Sequence, residues 1–244
     1  MIELHNTTLV VVGGGSGIGL AAASLAVRLG AKVVAADCDA GSEAVVKAAG
    51  ASFLLCDATD RSGTGVAIDA AAALLGGIDA LITTVGGARL GPFEEISADE
   101  WDREIQFNLK SVYTVTQAVL PHLKRRGGGA IVTTSSGYGQ MAGPDRVAYT
   151  AAKAGVIAMT RSLAAAAAPM KIRVNCLSPG PTDTPRFRAM NGGDAGVERV
   201  REAMPLGRIP VPADCAKAAL FLISDAASEI TGQVLHVNGG LFMP

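Results

Sequence analysis

Leu9-Val10-Val11-Val12-Gly13-Gly14-Gly15-Ser16-Gly17-Ile18-Gly19 is an apolar run that feeds directly into a glycine-rich turn. A helical period opens at Ile18 and continues to Leu29. Unbroken Val and Leu mark a strand buried on both faces, as in a parallel sheet. Glycines between a first strand and a first helix permit a tight turn and close approach of a pyrophosphate. Its charge then sits at the helix N-terminus. Gly13, Gly15, Ser16, Gly17, Ile18 and Gly19 are therefore candidate cofactor-binding positions. The competing reading is an ordinary flexible turn, which does not require Gly at four of the five positions 13–17.

The alternation continues outward from this stretch. Short apolar runs predict strands at Leu9–Val12, Lys32–Ala36, Ser52–Cys56, Ala80–Thr83, Ala130–Thr134, Ile172–Leu177 and Val234–Val237. Segments of helical period lie between them: Ile18–Leu29, Ser42–Ala49, Ser62–Leu75, Asp99–Arg125, Ala148–Ala167 and Ala213–Ile223. Repeated strand–helix–strand units imply right-handed crossovers and an α/β fold. The expectation is a doubly wound parallel sheet of about seven strands with helices on both faces. With no linker rich in Pro, Ser or charge, residues 1–244 read as one domain. The alternation lapses near 185–205, where Met190-Asn191-Gly192-Gly193-Asp194 forms a loop inside a small helical insert; such excursions often act as active-site lids.

The 244 residues carry 21 Lys+Arg and 22 Asp+Glu, a net charge of -1, which excludes the basic face a nucleic-acid binder needs. At 49% hydrophobic and 18% charged, the chain has ample apolar surface for a core. Cys38, Cys56, Cys176 and Cys215 are scattered without metal-ligand or redox spacing, so no metal site is assigned. They read as reduced thiols of a cytoplasmic protein. No signal-peptide pattern opens the sequence, and no run reaches the ~20 apolar residues of a membrane span.

The second predicted strand ends at Asp37, eighteen positions after Gly19. A carboxylate at about that distance can accept hydrogen bonds from adenosine ribose hydroxyls and would repel a 2′-phosphate. No Lys or Arg occupies 38–41, so NAD(H) is favoured over NADP(H), with a solvated turn Asp as the alternative. Asp57, beside Ala58 at the end of the third strand, is a candidate for the adenine edge, with turn capping equally open. Tyr149-Thr150-Ala151-Ala152-Lys153 puts a phenol and an ammonium on one helical face. A nearby cation favours the tyrosinate and should lower a phenol pKa from near ~10. Ser135-Ser136 closes the strand that precedes this pair, and Asn108 lies in the helix before it.

In these motifs the sequence resembles the short-chain dehydrogenase/reductase family. The glycine motif falls on Gly13–Gly19, and the helix Asn motif on Asn108-Leu109-Lys110-Ser111. The serine strand falls on Ile131-Val132-Thr133-Thr134-Ser135-Ser136, and Tyr-x-x-x-Lys on Tyr149 and Lys153. The Pro-Gly stretch beside the nicotinamide falls on Arg173–Pro185, and the C-terminal strand on Ile230–Gly240. The resemblance implies Tyr149 as general acid/base on the substrate oxygen and Ser136 as its hydrogen-bonding partner. Lys153 would lower the Tyr149 pKa and bind the nicotinamide ribose. Asn108 would hold a water leading from Lys153 to solvent. Thr84, Gly86, Tyr149, Lys153, Pro179, Gly180, Thr182 and Thr184 are implied cofactor contacts. Two departures stand out: Val12 replaces the family's Thr before the first glycine, and Thr83-Thr84-Val85-Gly86 replaces Asn-Asn-Ala-Gly. A hydroxyl from Thr83 is expected to substitute for the lost polar contacts.

The function expected is NAD-dependent hydride transfer between a secondary alcohol or ketone and nicotinamide. The alternative is an NADPH-dependent 3-oxoacyl-thioester (acyl carrier protein) reductase; a non-catalytic dinucleotide sensor is disfavoured by the intact Tyr and Lys. Arg125-Arg126 reads as a helix-end charge pair, with a carrier-protein patch as the sharper alternative. Arg89 and Arg186 border the expected substrate cleft, as solvated loop residues or as a grip for a carboxylate. A homodimer or homotetramer is expected, with Val112, Val115, Val119, Ala158, Ser162 and Ala165 facing outward from two long helices.

Overall fold

The computed structural model describes residues 2–244. Seven strands form one parallel sheet: β1 (Thr8–Val12), β2 (Lys32–Asp37), β3 (Ser52–Leu55), β4 (Ala80–Thr83), β5 (Gly129–Thr134), β6 (Ile172–Pro179) and β7 (Val234–Val237). Their spatial order is β3-β2-β1-β4-β5-β6-β7. β1 lies between β2 and β4, so that Val10 pairs with both Val34 and Leu81. The strand order reverses direction at the β1/β4 boundary, and in open α/β sheets ligands bind outside the strand C-termini at that point. Gly13 and Thr84 stand at those two C-termini.

The helices are α1 (Gly17–Arg28), α2 (Glu43–Ala48), α3 (Arg61–Leu75), α4 (Ala98–Ile105), α5 (Ser111–Arg126), α6 (Val147–Ala167), α7 (Pro185–Met190), α8 (Asp194–Glu202) and α9 (Pro212–Ile223). Strand side chains alternate between two apolar layers. Leu9, Val11, Val33 and Ala35 pack with Ala22, Ala23 and Ala26 of α1 and with Ala216, Ala219 and Leu220 of α9. Val10, Val12, Val34 and Leu81 pack on the other face with α3, α5 and α6. Alanine on the inner faces of α1 and α9 suits close approach of helix to helix.

Two expectations need correcting. The predicted helix Asp99–Arg125 is not continuous: Gln106–Lys110 forms a π-helical turn between α4 and α5. Val112, Val115 and Val119 do not face outward; all three are fully buried. Their spacing is the inner stripe of α5: Val115 and Val119 pack with the sheet and α3, Val112 packs with Val156 and Ile157 of α6, and Tyr113 and Gln117 carry the exposed side. Ala158, Ser162 and Ala165 of α6 are exposed. The 185–205 insert folds as α7 and α8. Among the described residues, no helix is long and apolar enough to cross a membrane.

Candidate active site

β5 delivers two serines to the C-terminal edge of the sheet, and their roles separate there. The Ser135 hydroxyl is buried and donates to Lys153 O at 2.7 Å, which fastens the strand to α6. Ser136 turns the other way and faces a cavity of about 360 Å3. Tyr149 and Lys153 line the same cavity from the first two turns of α6, together with Ile18, Thr84, Gly86, Pro179, Gly180, Thr182 and Thr184. Lys153 is buried, and its Nζ donates to Thr134 O (3.0 Å) and Val85 O (3.4 Å). An ammonium has three donors, so one remains beyond these two.

Burial sets the titration of both groups. Desolvation lowers the Lys153 pKa to about 8, while Glu104 and Cys176 act to raise it. Tyr149 was expected to titrate low; instead burial pushes its pKa up. Ser136 and the guanidinium charges of Arg186 and Arg146 act against that rise. Lys153 Nζ stands 5.8 Å from the Tyr149 ring centre. Because the phenol is buried, loss of hydration penalises the phenolate more than these partners recover.

Asn108 reaches the site from behind. It is fully buried on the π-helical turn. Its Oδ1 accepts from Gly87 N–H at 2.8 Å, and its amide donates to Gly87 O, Glu104 O and Glu104 Oε2 at 3.0–3.1 Å. The side chain thus braces the loop after β4. A side chain at Gly86 would meet Lys153 Nζ at 2.6 Å and Asn108 Oδ1 at 2.7 Å, so position 86 has to be Gly.

The other candidate positions lie along the same sheet edge, around the β1 turn. Ser16 precedes α1 without a capping hydrogen bond from its side chain, so the first-turn amides of α1 are left to a ligand or solvent. Asp37 Oδ2 accepts from Gly15 N–H at 2.8 Å, and Oδ1 from Asp39 N–H at 3.1 Å. A Cβ at Gly15 would lie 2.8 Å from Asp37 Cγ, so the turn is held against the end of β2. Asp57 accepts from Thr59 N–H and Oγ1 at 2.8 and 2.7 Å, a turn closure, with Ala58 buried beside it. The hydroxyl that ties β4 to the glycine turn comes from Thr84, not from Thr83. Thr84 Oγ1 donates to Gly13 O at 2.9 Å, whereas Thr83 Oγ1 is buried without a partner. Thr84 lies just past the strand end, where the chain turns towards β1. A bare-amide helix start, a glycine turn and a carboxylate at the end of β2 suit a dinucleotide: pyrophosphate on the first, adenosine ribose on the last.

Sequence reasoning missed Arg146 and Glu104. Arg146 lines the cavity, forks onto Asp145 (2.8 and 2.9 Å) and lies over the Tyr138 ring at 4.2 Å. Burial raises the Glu104 pKa. Only the spacing of Glu104, four residues before Asn108, could have signalled it. The Arg125-Arg126 pair is occupied within the chain, Arg126 by Asp79 and Arg125 by His122.

A family model described as enoyl-(acyl carrier protein) reductase matches residues 13–242. D-threitol dehydrogenase of Mycolicibacterium smegmatis is 37% identical over 244 residues, covering 98% of this chain and 94% of that protein. The 3-oxoacyl-[acyl-carrier-protein] reductase of Chlamydia trachomatis is 35% identical over 98% of both chains. The solved structure of a short-chain type dehydrogenase/reductase from Mycobacterium ulcerans superposes with a TM-score of 0.92 at 29% identity, covering 98% of this chain and 90% of that one. The chain belongs to the short-chain dehydrogenase/reductase family and is an oxidoreductase acting on CH–OH groups.

Proposed function

We propose that the protein interconverts a secondary alcohol and its ketone with NAD(H), in the cytoplasm and as a homo-oligomer. The observation that carries this reading is the single cavity in which Ser136, Tyr149 and Lys153 meet Gly86, Gly180 and Thr184. The Gly13–Gly19 turn and the start of α1 would hold the pyrophosphate, Asp37 the adenosine ribose, and the third donor of Lys153 the nicotinamide ribose. Asp57 and Ala58 would border the adenine, and Thr84, Gly86 and Pro179–Thr184 the nicotinamide half. When bound, the nicotinamide supplies the hydride exchange. Tyr149 holds or takes the proton at the substrate oxygen, and Ser136 donates a hydrogen bond to that oxygen. Asn108 touches neither; it is a positioning residue for Gly87 and Glu104 beside Lys153. The 185–205 segment serves as the substrate lid.

Four unpaired thiols favour a reducing compartment, and small exposed residues on α6 favour close packing of a second copy. The choice of NAD rests on Asp37. A 2′-phosphate beside it would face repulsion of roughly 4 kcal/mol per pair of unit charges at a few ångströms and an effective dielectric of ~20, before screening. No cation is offered at 38–41, and Asp39 adds a second carboxylate. The second reading, an NADPH-dependent 3-oxoacyl-thioester reductase, draws on relatives of that name and is opposed by Asp37. A panel of secondary alcohols and ketones, assayed with both cofactors, should give at least a tenfold higher kcat/KM with NAD(H). Asp37→Ser should shrink that ratio, mainly by weakening NAD binding. A wild type that prefers NADPH, or a ratio unmoved by the substitution, would contradict the assignment.

A further inference from the structure

Arg186 places a guanidinium on the substrate cavity, and among the described residues no carboxylate forms an ion pair with it. It is the second residue of α7, and its Nη2 donates a single hydrogen bond, to Ala88 O at 3.2 Å. The surrounding arginines are all committed to acids. Arg146 forks onto Asp145, Arg89 pairs with Glu100, and Arg188 bridges Asp183 and Asp194. Glu104 feels the Arg186 charge, but its Oε2 accepts from the Asn108 amide and it forms no ion pair with Arg186. The Arg186 head occupies the space that a side chain at Gly87 would need, so Gly at 87 admits the guanidinium to the cavity wall.

Neighbouring structure fixes this position. Thr184 caps α7 by accepting from Phe187 N–H at 3.1 Å, and Arg188 ties the helix to Asp183 by a fork from Nε and Nη2 at 2.6 and 2.7 Å. The cavity as a whole is largely apolar, with Met141, Phe187, Met190 and Phe242 in its lining, while Arg186 itself is exposed before substrate binds. A cation enclosed by such a wall when substrate binds loses hydration, and a substrate anion offsets that loss. The planar fork of a guanidinium matches a carboxylate with two parallel hydrogen bonds.

We infer that Arg186 is the anion-binding residue of the substrate cavity and that the substrate is a secondary hydroxy acid or its keto acid. An apolar body spans from the reacting carbon near Ser136 and Tyr149 to a carboxylate on Arg186. The inference rests on the oxidoreductase reading above and narrows it to a substrate class.

The test compares aliphatic secondary hydroxy acids of increasing spacer length with their neutral primary carboxamides, in the wild type, Arg186→Gln and Arg186→Lys. Equilibrium binding of the matching keto acids and keto amides is measured alongside by calorimetry. The wild type should favour the acid over the amide by tenfold or more in kcat/KM at the fitting length, chiefly through KM. Arg186→Gln should erase that preference, and Arg186→Lys should keep part of it. Taking the ratio within each variant cancels any effect of the lost charge on Tyr149. Keto-acid binding should weaken at least tenfold in Arg186→Gln, about 1.4 kcal/mol, while keto-amide binding stays level. The inference is overturned if no spacer length shows an acid preference in turnover or binding, or if the preference survives Arg186→Gln. Amides oxidised as well as acids would sink it and leave the oxidoreductase reading intact. Arg186-dependent keto-acid binding without turnover of any alcohol would do the reverse.

Discussion

Lys153 shows how function and stability oppose each other at one residue. Its ammonium is enclosed by β5 and α6, and burial holds its pKa at about 8, below the ordinary 10.5. Below the folded value both states carry the charge, and the native state bears the full desolvation cost. As pH rises from about 8 to 10.5, the folded lysine is neutral while the unfolded one remains charged, so stability increases with pH. The recovered term is of order 3 kcal/mol. Denaturant unfolding of the wild type and Lys153→Met should show their difference moving in favour of the wild type across that window; a pH-independent difference would contradict the account. The identity of Lys153 was legible from its spacing to Tyr149. The upward shift of Tyr149 was not, because it depends on how far the fold buries the phenol. The exchange of Thr83 for Thr84 as hydroxyl donor was also hidden, since neighbouring residues at a strand end point in different directions.

At the scale of elements, the strands and the glycine turn could be read from runs of Val, Ile and Leu, because burial on both faces leaves a continuous apolar signal. The π-helical turn left none. It occurs where Asn108 bonds both to Glu104, four residues back, and to Gly87 in the loop after β4, and apolar periodicity does not encode that second, tertiary contact. The stripe Val112, Val115, Val119 was legible as apolar but not as to what covers it; the sheet, α3 and α6, not a second copy, take it. Asn108→Ala should test the brace. It strands the half-buried N–H and carbonyl of Gly87, which should cost about 1 kcal/mol in unfolding free energy. It also frees the loop that carries Gly86 and Gly87, so kcat/KM should fall by tenfold or more. A variant with wild-type stability and activity would remove Asn108 from its positioning role.

For the whole molecule, sequence motifs spread from residue 13 to residue 240 converge on one edge of one sheet, because strand order reverses between β1 and β4. That convergence follows from alternating strands and helices, and the sequence displayed it. The arginine pairings around the cavity were not displayed, since each depends on how α7 and the loop after β4 pack. Assembly belongs to this scale too. With Ala158, Ser162 and Ala165 exposed on α6, light scattering at micromolar concentration should return a dimer or tetramer mass, and a monomer mass would refute the homo-oligomer. The central claim, that Tyr149 exchanges the substrate proton beside a cofactor held mainly by other residues, is tested most directly by Tyr149→Phe. The account predicts turnover lower by about 10²–10⁴-fold with NAD affinity unchanged; a variant that keeps most of its activity would contradict it.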